Sequence, residues 1–107
     1  HILIMLRGKN IENTSGKKLL LDADWDKLFH LSNAIHGDFI TRIKNDFPTL
    51  TKHDIEICCL LRFGIEHEVL GSIFLTETDS VTKAKRRMKK RLNLSASDDL
   101  DVFLLKY

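Results

Sequence analysis

A run of positive charge between residues 83 and 91 is the clearest chemical feature of the chain. Seven of these nine residues are cationic: Lys83, Lys85, Arg86, Arg87, Lys89, Lys90 and Arg91. The whole chain of 107 residues has a formal net charge of only +2, so the remaining residues are acidic on balance. Ammonium and guanidinium groups at this density repel one another, and phosphate groups of a polyanion relieve that repulsion. The run therefore predicts a surface that binds a polyanion.

The same segment carries an apolar stripe that can hold it against a folded body. Its members recur at spacings of three, four and four residues: Val81, Ala84, Met88 and Leu92. This spacing places them on one side of an α-helix, and Lys83, Arg86 and Lys90 fall on the opposite side. Between residues 81 and 94 the sequence has no acid, so we expect no ion pair within the helix to neutralise its charge. We predict a helix over residues 80–92.

Shorter helices are predicted on both sides of this element. A first helix should begin near Asp22 or Asp24, and Asp38 should cap a second. Their expected apolar faces are Trp25, Leu28, Phe29 and Leu31 in the first, and Phe39, Ile40, Ile43 and Phe47 in the second.

The middle of the chain should form the buried centre of the fold. Thr51 and Asp54 form a capping box for a third helix, which is apolar nearly all round and should end at Gly64. A short helix over residues 66–74 follows, then a tight turn at Leu75–Thr76. Thr76 or Thr78 should cap the basic helix, and Ser97 should cap a last helix that packs through Leu100, Phe103 and Leu104.

The predicted fold class is all-α: a helix-turn-helix domain of about four helices with one or two extra N-terminal helices. We expect residues 1–21 to be a linker or the tail of an upstream helix, and residues 22–107 to form the domain. Because the chain begins with His1, we expect an upstream domain in the full-length protein. No apolar run reaches the length of a membrane span, which predicts a cytoplasmic location, with an upstream membrane anchor left open.

A short helix, a tight turn and a basic amphipathic helix form the helix-turn-helix arrangement, whose second helix enters the major groove of double-stranded DNA. On this reading we assign base contacts to Thr82, Lys83 and Arg86. Phosphate contacts are assigned to Thr51, Lys85, Arg87, Lys89 and Lys90.

The order of several short motifs resembles the LuxR/FixJ-type helix-turn-helix domain. They are Leu50-Thr51, Glu56, Leu60-Leu61, Gly64, Glu68-Val69, Leu75-Thr76, Ser80-Val81 and Lys90-Arg91-Leu92-Asn93-Leu94. A wider stretch, about residues 22–105, is similar to the variant attached to sensor and tetratricopeptide-repeat regulators. That stretch contains Trp25, Ile35-His36-Gly37-Asp38-Phe39, Phe47-Pro48-Thr49-Leu50-Thr51 and Lys83-Ala84-Lys85-Arg86-Arg87-Met88-Lys89-Lys90. The chain departs from the pattern at Leu70, where a small residue is usual, and in a turn one residue longer.

The resemblance implies the DNA-binding output domain of a bacterial response regulator or one-component regulator. It implies a homodimer on DNA and control by an upstream sensory domain. It does not imply catalysis.

Two other classes of partner fit a basic helix: an acidic protein or RNA polymerase bound by a helical adaptor module, and an anionic membrane surface. For enzymatic chemistry the sequence offers little. The five histidines have no metal-ligand spacing, and no phosphate-binding glycine loop occurs, so we expect no catalytic residue, no metal and no cofactor. Cys58 and Cys59, adjacent in an apolar run, should be small buried residues rather than a disulfide.

Overall fold

The computed structural model describes residues 20–107, and these residues form six α-helices and no strand. The prediction of an all-α fold is confirmed. The helices are α1 (Asp22–Ile35), α2 (Phe39–Asp46), α3 (Lys52–Arg62), α4 (His67–Ile73), α5 (Thr78–Arg91) and α6 (Leu100–Lys106). Of the segment predicted as a linker or helix tail, residues 1–19 lie outside the described part of the chain. Leu20 is buried against the core, and Leu21 is exposed at the start of α1.

Helix α3 is the centre of the domain, as its composition predicts. Every residue from Asp54 to Leu61 is buried, including both cysteines. The helix packs against α1 and α2 on the N-terminal side of the fold and against α6 on the C-terminal side. The core therefore surrounds α3, and α4 and α5 pack against each other as a pair.

The two ends of α3 have the predicted N-terminal capping box and the predicted glycine after the last turn. Thr51 Oγ1 accepts a hydrogen bond from the Asp54 N–H at 3.1 Å, and Asp54 Oδ2 accepts one from the Thr51 N–H at 2.9 Å. The capping box is therefore confirmed. At the other end Gly64 has φ +83°, a left-handed conformation that glycine adopts without the steric penalty of a Cβ.

Three other predictions about helix ends and faces are wrong. The residue before α5 is Glu77, not Thr76 or Thr78, and its side chain makes no capping hydrogen bond. The cap of α6 is Asp99 rather than Ser97, with Asp99 Oδ1 accepting from the Val102 N–H at 3.1 Å. Leu31, assigned to the apolar face of α1, is 39% exposed because it lies beyond the edge of the surface that contacts the core.

Helix α2 obtains its N-terminal cap from another helix. Asp38 stands at the predicted capping position, but it is left-handed, with φ 59°, and its side chain makes no capping hydrogen bond. Asn33 of α1 substitutes for it: Asn33 Oδ1 accepts from the N–H groups of Ile40 at 2.9 Å and Thr41 at 3.3 Å. This arrangement fixes the short connection between α1 and α2.

Tyr107, which follows α6, is hydrogen-bonded to two residues of α2, Arg42 and Asp46. Arg42 of α2 donates to the carbonyl oxygens of Gly37 (2.8 Å), His36 (3.2 Å) and Tyr107 (3.0 Å). The Tyr107 hydroxyl donates to Asp46. These bonds hold the end of α6 against α2, which keeps α6 seated beside α3.

Among residues 20–107, no helix combines the length and the apolar character that crossing a bilayer requires.

Cys58 and Cys59 are free and fully buried, as the sequence predicts. Burial away from water raises the pKa of the Cys58 thiol far above its usual range, and nearby Asp54 raises it further. Burial raises the pKa of the Cys59 thiol to about 12, with Glu56 contributing in the same direction. Since the thiolate is the reactive form, both groups should be chemically inert in the folded protein.

We expect iodoacetamide at pH 8 to leave both cysteines of the native protein essentially unmodified over a time in which urea-unfolded protein reacts fully. The reason is that folding removes both solvent access and the thiolate form. Mass spectrometry of the quenched reaction counts the adducts, and the unfolded sample is the control. Native thiols that react as fast as unfolded ones would contradict the placement of this helix.

Candidate nucleic-acid interface

The apolar stripe of α5 is buried throughout its length. Val81, Ala84, Met88 and Leu92 are 3%, 6%, 0% and 2% exposed. This confirms the predicted stripe, and it fixes which side of the helix faces solvent. The observed helix begins two residues earlier than predicted and ends one residue earlier, at Arg91.

Helix α4 lies against α5 through a turn with an unusual backbone. Leu75 adopts a left-handed conformation, with φ 54°, although it is not glycine. The Thr76 N–H donates to the Gly71 carbonyl at 2.9 Å, which closes the end of α4. Leu70, where the resembled family has a small residue, is fully buried, so its extra volume is accommodated in the core. Thr82 Oγ1 lies 3.3 Å from His67 Nε2 and connects the two helices.

The seven cations are not equivalent in the folded protein. Two of them are held by carboxylates from other helices. Lys85 Nζ lies 3.1 Å from Asp101 Oδ1 of α6, and the Lys85 side chain is only 14% exposed. Arg91 Nη1 lies 2.6 Å from Asp54 Oδ2 of α3. These pairs fasten α5 to α6 and α3.

The helical wheel explains why these two cations are engaged. At 100° per residue, Lys85 falls about 20° beyond Leu92 at one edge of the buried stripe. Arg91 falls about 20° beyond Ala84 at the other edge. Both side chains therefore start at the boundary with the protein body and reach its carboxylates.

Two further cations have weaker partners. Lys83 Nζ lies 3.4 Å from Asp79 Oδ2, an i,i+4 pair in which both side chains are well exposed. The expectation that nothing in the helix neutralises its charge is therefore wrong, because Asp79 lies in the first turn of α5, just before the stretch without acids. Lys89 Nζ donates to the Ala96 carbonyl at 3.2 Å, a neutral partner that leaves its charge uncompensated.

The remaining three cations, Arg86, Arg87 and Lys90, are exposed and make no ion pair or hydrogen bond with any residue between 20 and 107. We call them the outward cations. Arg86 and Lys90 lie on the side of α5 opposite the buried stripe, and Arg87 lies on the flank next to Arg91. The exposed surface of α5 therefore presents three positive charges that no carboxylate of the described residues pairs with. Lys90 is also in the last turn of the helix, where the helix dipole favours positive charge.

An acidic wall borders one flank of the basic helix. A groove of about 580 Å³ runs between α5 and the segment leading into α6. Lys85, Arg86 and Lys89 line one side of it, and Asp98 and Asp101 line the other. Because carboxylates repel phosphate, this groove does not suit a polyanion, although Arg86 lines it; the favourable surface lies away from the groove, toward the exposed Lys90 and Arg87.

Thr51 lies close to the C-terminal end of α5. The oxygen that accepts from its N–H, Asp54 Oδ2, also accepts from Arg91 Nη1. Thr51 is exposed, so its hydroxyl stands at the surface beside the last turn of the basic helix. The structure thus brings Thr51, assigned to a phosphate from the sequence, to the same end of the molecule as Lys90.

Within residues 20–107, no three histidine, cysteine, aspartate or glutamate side chains converge on one point where a metal ion could bind.

Comparison with known proteins identifies no relative: no family model, no curated protein sequence and no solved structure matches the chain. The LuxR/FixJ resemblance therefore stays a prediction that depends on the residues quoted for it.

We expect Asp54→Ala to lower the free energy of unfolding by about 2–4 kcal/mol. The substitution removes the capping box of α3 and the ion pair with Arg91 together. Urea denaturation followed by circular dichroism measures the change. The matched control is Asp26→Ala, an exposed helical aspartate, which should change stability by no more than about 0.5 kcal/mol. Equal stabilities of the two variants would show that Asp54 does not fasten the two helices.

Proposed function

We propose that this chain is the DNA-binding output domain of a bacterial transcription regulator of the LuxR-like type, with α5 entering the major groove of double-stranded DNA. One observation carries the proposal: the apolar stripe is buried, so Arg86 and Lys90 project from the opposite side of the helix and Arg87 is exposed on its flank. The major groove of B-DNA admits one α-helix, and its phosphate edges match a row of cations.

The contacts differ in kind. Arg86 is placed to reach a base edge, where its guanidinium forms two hydrogen bonds to a guanine. Thr82 and Lys83 lie about one turn before it and are also exposed. The Lys83–Asp79 pair is an exposed i,i+4 pair worth only about 0.3–0.5 kcal/mol, so Lys83 exchanges it readily for a base or a phosphate.

Phosphate binding falls mainly to Arg87, Lys89, Lys90 and Thr51. Lys89 has only a carbonyl partner, and Thr51 lies at the same end as Lys90. Lys85 is the weakest of the proposed contacts, because its side chain is only 14% exposed and its ammonium is paired with Asp101. Its main contribution is to hold α5 in place.

A homodimer on DNA, an upstream sensory domain and RNA polymerase belong to the same proposal. Val102 and Leu105, on the surface of α6, are 44% and 47% exposed. They lie three residues apart on one side of the helix and offer an apolar surface to a second copy. Two copies related by a two-fold axis would read half-sites about one helical turn apart.

The test begins with selection of bound sites from random duplexes, followed by anisotropy titrations at several salt concentrations. We expect Arg86→Ala to lower affinity for the selected site by about 1–3 kcal/mol while affecting random duplex less. Lys90→Ala should weaken binding to all duplexes alike and reduce the log-salt slope by about 1.

Two lysines serve as controls. Lys27→Ala removes an exposed cation from α1 and should leave affinity unchanged, and Lys85→Ala should weaken binding less than Lys90→Ala does. Equal DNA affinity of the Arg86, Lys90, Lys85 and Lys27 variants would refute the proposed role of α5 in DNA binding. Absence of salt-dependent duplex binding by the unaltered protein would refute the proposed function and favour the alternative, a helical adaptor for an acidic protein.

A further inference from the structure

A second cavity shares no residue with the basic helix. It has a volume of about 400 Å³ and opens between α1, α3 and the end of α4. Its walls include Trp25, Ile73 and Phe74, with Glu56 and His53 contributed by α3. A volume of this size is within the range of small-molecule sites in proteins.

Aromatic rings form much of the lining. Trp25 and Phe74 are stacked with ring centroids 5.8 Å apart and planes 9° apart. The His53 ring meets Phe74 edge-on at 4.6 Å. Rings fixed by such contacts form a preformed wall, and aromatic faces attract organic cations.

The carboxylate of Glu56 is the acidic group of α3 in this wall. Glu56 is 9% exposed, and its one close partner among residues 20–107 is His53, with Nδ1 3.5 Å from Oε1. None of those residues donates a hydrogen bond to its carboxylate. Its oxygens are not sealed from solvent, because the one buried side-chain polar atom without a hydrogen-bond partner among residues 20–107 is Arg62 Nε. The carboxylate therefore opens into the cavity. Lys52 and Asp22, which also line the cavity, pair with each other at 3.5 Å, so Glu56 is the carboxylate there that a cationic group can pair with.

We infer that this cavity binds a small organic cation, namely a primary ammonium or guanidinium group on an apolar, preferably aromatic, body. The cationic group donates to the Glu56 carboxylate, and the body lies against Trp25, Ile73 and Phe74. A neutral molecule of the same shape leaves the carboxylate charge unpaired, and an anion is repelled by it. The inference does not depend on DNA binding.

The experiment uses phenethylammonium as the probe and 2-phenylethanol as its neutral counterpart. Trp25 is the only tryptophan in the chain, so its fluorescence reports directly on this cavity. We expect a saturable change in emission with phenethylammonium and at least tenfold weaker binding of the alcohol. No saturable response, as when another part of the chain fills the cavity, overturns the inference, and so does equal affinity for the two probes.

A variant isolates the carboxylate. Glu56→Gln keeps the size of the side chain and removes its charge, so binding of phenethylammonium should weaken at least tenfold and its advantage over 2-phenylethanol should disappear. Asp26→Asn removes a comparable charge from the surface and should change neither. Unchanged binding by Glu56→Gln overturns the inference. The comparison of probes on the unaltered protein holds even if this variant folds poorly.

Discussion

The burial of one narrow apolar stripe on α5 determines which cations of this helix face the protein body and which face solvent. Val81, Met88 and Leu92 each gain about 1.5–3 kcal/mol when they leave water, which is far more than any exposed ion pair contributes. The rotation of α5 about its axis is therefore decided by these side chains. Every cation on the helix then takes the position that this rotation assigns to it.

As a consequence, the lysines and arginines of α5 have two different roles. Cations at the edges of the stripe reach carboxylates of the protein body, as Lys85 reaches Asp101 and Arg91 reaches Asp54. Cations at the centre of the exposed side, such as Arg86 and Lys90, make no ion pair with a carboxylate of residues 20–107. The first group fixes the helix and the second remains open to an external anion. A count of positive charges along the sequence does not make this distinction.

Local rules predicted much of the fold because they depend on neighbouring residues. The Thr51–Asp54 capping box, the left-handed Gly64 and the buried stripe of α5 follow from spacings of three or four residues. The predictions of helix caps are wrong where a distant or competing side chain accepts the hydrogen bonds of the helix N-terminus. Asn33 caps α2 in place of Asp38, and Asp99 rather than Ser97 begins α6. The partners of Lys85 and Arg91 are 16 and 37 residues away, beyond what periodicity reveals.

Lysine footprinting tests most directly whether burial of the apolar stripe leaves Lys85 paired with the protein body and Lys90 available to DNA. The protein is acetylated briefly with and without a selected duplex, and each lysine is quantified by mass spectrometry. The account predicts that Lys90 reacts quickly in the free protein and is protected by the duplex, that Lys85 reacts slowly in both states, and that Lys27 reacts equally in both. Rapid acetylation of Lys85 in the free protein, or a Lys90 that the duplex does not protect, would contradict it.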